Sequence, residues 1–85
     1  MKAVRVHAFA GPEQLVLDEN DDPRPGQSDV LIEILAAGVN PMDTYVRTGT
    51  HFVKPALPFI PGFDAAGIVL EAGASVQRVC AGDRV

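Results

Sequence analysis

The sequence predicts a small, mainly β domain, a barrel-like set of short strands with one brief helix. Three observations carry that prediction: period-two alternation in several short runs, glycine and proline punctuation between them, and a single helix-start signature. The chain of 85 residues has room for one modest core, because a chain this short buries only about 60–65% of its unfolded surface. Hydrophobic residues make up 47% of it and charged residues 21%, the balance of a folded domain.

The first strand is expected over Lys2–Ala8, with Val4, Val6 and Ala8 on one face and Ala3, Arg5 and His7 on the other. Gly11-Pro12 interrupts the chain, and Leu15-Val16-Leu17 returns as a short second strand, so the two form a hairpin with a moderately long loop. Asp18 to Asp29 carries five acidic residues, two prolines and a glycine and reads as an exposed loop with solvated acids. Val30–Ala37, the most apolar stretch, reads as a central strand.

Asn40-Pro41-Met42-Asp43 then has the form of a helix start: asparagine at the N-cap, proline at the first helical position and an acid three residues after the cap. The helix is about two turns long and Gly49 closes it. Asp43 and Arg47 stand four apart in the order that favours an ion pair. Met42, Tyr45 and Val46 share a helix face that packing would bury. Pro55, Pro58 and Pro61 with Phe52, Phe59 and Phe63 give a stiff loop whose aromatics must pack on something. A further strand runs over Ala65–Glu71, and Gly67 inside it marks a bulge or a close backbone approach. Gly73 turns the chain back, Gly82-Asp83 is a turn, and Arg84-Val85 begins another strand.

Composition narrows the functional classes. The net charge is −4 and the basic residues are scattered, which argues against a nucleic-acid surface. No apolar run approaches the roughly 20 residues of a membrane span, and the alternating start is unlike a signal peptide, so the cytosol is the expected compartment. The single Cys80 excludes an internal disulfide and a multi-thiolate zinc site and reads as a small apolar filler. His7 and His51 read as surface or packing residues.

Three stretches in order, VLIEILAAGVNPMDTYVRTG (30–49), PFIPGFDAAGIV (58–69) and the closing GDRV (82–85), together resemble the medium-chain dehydrogenase/reductase superfamily. The Gly38-Val39-Asn40-Pro41 start, the Thr44–Thr50 continuation and the opening Ala3-Val4-Arg5-Val6 with Gly11-Pro12-Glu13 are most similar to its zinc-free quinone oxidoreductase branch, that of zeta-crystallin. The resemblance implies a GroES-like, partly open β-barrel, with residues 1–85 as an incomplete amino-terminal domain. A Rossmann domain holding NADPH would lie outside the chain, since no G-x-G-x-x-G cradle occurs in it. It implies an enzyme that passes hydride from NADPH to a quinone, inactive as this piece alone. The alternatives are an enone or alkene reductase of the same superfamily and a non-catalytic binding or structural fragment.

By the same resemblance, Asn40 stands where zinc-dependent relatives carry a cysteine, and Phe63-Asp64 where they carry a His-Glu pair, so no metal is expected. An electrophilic quinone can accept hydride without the Lewis acid that alcohol oxidation needs. Asn40 and Tyr45 are implied as the residues nearest nicotinamide and acceptor, both as catalytic and as cofactor-contacting groups, with Arg47 as a further cofactor contact. Each also has a plain reading: an N-cap for Asn40, core packing for Tyr45, pairing with Asp43 for Arg47. Asp64 is a minor candidate for a structural hydrogen bond. His51 stands where close relatives carry an aromatic, a departure that touches acceptor preference. Relatives imply a homo-oligomer.

Overall fold

The structure, a computed structural model, describes residues 1–85. Its elements are β1 (Lys2–Val6), a 3-10 turn (Pro12–Gln14), β2 (Leu15–Glu19), β3 (Val30–Gly38), α1 (Pro41–Thr48) and β4 (Asp64–Ala72). They fall into two compact units, one of Met1–Asp21 with Gly38–Phe63, the other of Asp22–Ala37 with Asp64–Val85. The fully buried side chains are Val6 and Val46 in the first unit and Val69 in the second.

In the first unit β1 and β2 form the expected antiparallel hairpin, in register from Lys2 opposite Glu19 to Val6 opposite Leu15. β1 stops at Val6, two residues earlier than the alternation suggests. β2 extends to Glu19 and takes Asp18 and Glu19 out of the expected loop. Alternation did not produce one buried face. Val4 is 42% exposed while Val6 is fully buried, because Val6 alone is flanked on its second edge. There it exchanges both backbone hydrogen bonds with Phe59, at 2.8 and 3.1 Å. Phe59 also tilts against Phe9 at a ring separation of 6.0 Å. Phe59 packs as expected, whereas Phe52 and Phe63 are exposed, and Leu57-Pro58 is a cis peptide.

In the second unit β3 and β4 form a two-stranded sheet. Their directions oppose each other, since the contacts run from Glu33 beside Gly67 to Asp29 beside Gly73 and Gln27 beside Ser75. β3 therefore has one strand partner in this chain and is not the central strand its apolarity suggests; Ile34 and Leu35 are more than half exposed. Gly67 lies where backbones nearly touch: a Cβ there would sit 1.9 Å from the Glu33 carbonyl oxygen. On its own edge Gly67 exchanges hydrogen bonds with Val85 at 2.9 and 3.0 Å, and Ile68 bridges Arg84, so the closing residues do join the sheet. Cys80, exposed, caps a turn with Asp83: its N–H donates to Asp83 Oδ2 at 2.9 Å. No helix is long and apolar enough to cross a membrane.

Candidate functional site

Helix α1 places the three implied site residues, and both its ends are fixed by local chemistry. At the start, Asn40 is extended (φ −122°, ψ 157°) and forms a reciprocal capping box with Asp43. The Asn40 side chain accepts the Asp43 N–H. The Asp43 Oδ2 in turn accepts the Asn40 N–H at 2.8 Å. Pro41 at the first helical position lacks the N–H that would otherwise need a partner.

At the far end Gly49 adopts the left-handed conformation (φ 80°, ψ 14°) that a side chain would strain. It closes a Schellman motif in which the Gly49 N–H donates to the Val46 carbonyl at 3.2 Å and the Thr50 N–H to the Tyr45 carbonyl at 3.0 Å. The His51 N–H also reaches the Tyr45 carbonyl, at 3.3 Å. The stretch beyond the helix is thereby tied to Tyr45.

The shared face of Met42, Tyr45 and Val46 resolves unequally. Val46 is 2% exposed and anchors the helix, which stabilises it by about 1.5–2 kcal/mol of buried apolar surface. Tyr45 is 54% exposed, so core packing is not its role, and its phenol makes no hydrogen bond inside the chain. A neutral phenol in that position is a donor available to an oxygen.

Arg47 does not pair with Asp43 as the four-residue spacing suggests. Its Nε donates to the Ala10 carbonyl at 3.1 Å, while the Ala10 N–H donates to the Arg47 carbonyl at 3.2 Å. The capping box has already turned the Asp43 carboxylate toward the N-terminus, a full turn away from Arg47. Arg47 thus straps the end of α1 to the loop after β1.

Of the other candidates, His7 meets Asp18 across the hairpin, Nε2 to Oδ2, at 2.5 Å on the surface. His51 stacks on Phe52 at a ring separation of 4.3 Å, and its Nδ1 accepts the Val53 N–H at 3.0 Å. That bond leaves the proton of a neutral His51 ring on Nε2. Asp64 opens β4, in the second unit.

The second carboxylate oxygen of Asp43, Oδ1, is buried without a hydrogen-bond partner, which costs about 1–3 kcal/mol. The sequence marks Asp43 as a cap, but only the fold shows that one oxygen of the cap is shut away from water.

Residues 26–85 match the family model of the alcohol dehydrogenase GroES-like domain, and the chain belongs to that family. Its mainly β, GroES-like fold class agrees with the sequence expectation.

The relatives it matches include quinone oxidoreductases of the medium-chain dehydrogenase/reductase superfamily. The quinone oxidoreductase of Sus scrofa is 50% identical over 86 residues, covering 100% of this chain and 26% of that protein. The structure of Escherichia coli quinone oxidoreductase complexed with NADPH superposes with a TM-score of 0.91 at 37% identity, covering 99% of this chain and 26% of that one. A cobalt- and zinc-bound thermostable alcohol dehydrogenase from Pyrobaculum aerophilum gives 0.87 at 44% identity, covering 99% and 25%. The chain thus spans about a quarter of the length of the relatives it matches.

Proposed function

We propose that this chain forms the acceptor-binding part of an NADPH-dependent quinone oxidoreductase that works without zinc. The observation that carries the reading is Tyr45, a phenol held by two fixed helix ends yet left without a partner of its own. Relatives named quinone oxidoreductase, one of them solved with NADPH, support it.

The overall reaction balances as quinone, NADPH and a proton giving hydroquinone and the oxidised dinucleotide. When bound, NADPH supplies the hydride, and the glycine-rich cradle for such a dinucleotide is not among these residues. What this chain's residues do is orient and stabilise. Tyr45 donates its O–H to the acceptor oxygen as that oxygen gains charge. Asn40 holds its carboxamide at the head of the same helix, with the oxygen turned to the cap and the N–H donors on the other atom. Arg47 keeps the helix end in place, and its positive charge would suit the phosphates of the cofactor.

For zinc the donor set fits poorly: Asn40 and Phe63 offer neither thiolate nor imidazole at the positions zinc-dependent relatives use. The zinc-bound neighbour makes this a point to test directly.

The test is NADPH oxidation by the full-length polypeptide with a simple quinone, with and without a chelator. Activity should survive the chelator. Tyr45→Phe should lower kcat/KM about 10–100-fold with an unchanged melting temperature. Loss of activity to the chelator would overturn the zinc-free reading. Silence with both quinones and enones would overturn the enzyme.

A further inference from the structure

We propose that Asp43 is a positioning residue for the reaction, acting through Asn40; this rests on the reading that Asn40 meets the acceptor or nicotinamide. Asp43 holds Asn40 twice, its Oδ2 accepting the Asn40 N–H at 2.8 Å and its own N–H donating to the Asn40 side chain. The first bond fixes the Asn40 backbone, the second the direction of its carboxamide.

A cap alone does not need what the structure adds. An acid at this place on an exposed helix satisfies the same N–H while its other oxygen stays hydrated. Here Oδ1 is buried and has no partner, while Oδ2 holds the Asn40 N–H. Its one side-chain hydrogen bond within the chain is the one to Asn40. A carboxylate with one oxygen shielded from water and the other committed to a single donor makes a short, stiff clamp. Sub-ångström placement of a group facing a reacting atom is where such stiffness is useful, because a displacement of about 1 Å can lower a rate about 100-fold. The price of the buried oxygen is thus matched to a task at the neighbouring side chain.

The experiment is a double-mutant cycle in the full-length polypeptide, reading kcat and both KM values with NADPH and a quinone. Asp43→Ala should lower kcat about 10–100-fold and leave the KM for NADPH within about twofold. Asp43→Glu, the usual acid of a capping box, should recover most of the rate. Asn40→Ala should fall as far as Asp43→Ala, and the double variant no further than Asn40→Ala alone. If Asp43→Ala does not fold, Asp43→Ser, too short to reach the Asn40 N–H, takes its place in the cycle.

Losses that multiply in the double variant would show Asp43 to be a cap only and overturn the inference. So would an unaltered kcat in Asp43→Ala beside a reduced one in Asn40→Ala. An unaltered kcat in Asn40→Ala would instead remove the reading beneath it, and the inference with it.

Discussion

Replacing Gly67 by alanine should be among the most damaging single-methyl changes in the β3–β4 unit. The added Cβ would lie 1.9 Å from the Glu33 carbonyl oxygen, 2.9 Å from the Glu33 carbonyl carbon and 2.9 Å from Ile32 Cγ2. Two of those three atoms are backbone, so no side-chain rotation relieves the overlap. To restore ordinary contact the chains must part by about 1 Å or more, well past the optimum of the non-bonded potential. Parting them strains the sheet around Gly67, including the pair of bonds at 2.9 and 3.0 Å to Val85. Loss of two such bonds costs about 2 kcal/mol together, and the overpacking about 1–3 kcal/mol more. The expected destabilisation is about 3–5 kcal/mol, large against the roughly 5–15 kcal/mol by which folded domains are stable.

Urea unfolding of the full-length polypeptide, followed by far-ultraviolet circular dichroism, reads this as a midpoint lowered by about 1 M or more. Gly26→Ala is the matched control, since its Cβ meets only the end of the Asp29 side chain, nearest atom at 3.0 Å. It should change stability by less than about 1 kcal/mol. Equal midpoints for the two variants would refute the claim that backbone approach, and not the loss of a flexible residue, selects glycine at position 67.

Two further outcomes follow from α1. Val46→Ala removes the one buried anchor of the helix and should cost about 2 kcal/mol, seen as a lower melting temperature that no acceptor restores. Arg47→Lys keeps the charge but has no group at Nε to meet the Ala10 carbonyl, so stability should drop by about 1 kcal/mol in the same melt. The KM for NADPH in that variant shows whether the guanidinium also serves the cofactor.

The parts legible in the sequence were those governed by neighbours along the chain. Asn40, Pro41, Asp43 and Gly49 act within one helix, and the caps they predict are formed. Gly67 was legible as a close approach because an apolar strand gives up a packing side chain mainly where another backbone needs the space. What the sequence hid depends on residues far apart. Val6 is buried and Val4 is not because Phe59, more than fifty positions away, pairs with only one of them. Arg47 turns from Asp43 to Ala10, a partner that spacing cannot reveal. For the candidate site, residue types and helix position were visible, but not the exposure of Tyr45 or the sealed oxygen of Asp43.

The helix that carries Asn40 and Tyr45 is closed at its start by the capping box and at its end by Gly49 and the strap to Ala10. Between those two locks there are only eight residues. One residue more or less would turn Tyr45 by about 100° relative to Asn40 and break one of the closures. Lineages that keep this device can therefore change what the helix presents by exchanging side chains along it, and not by changing its length. Insertions and deletions should accumulate after Thr50, where the chain has left the second lock.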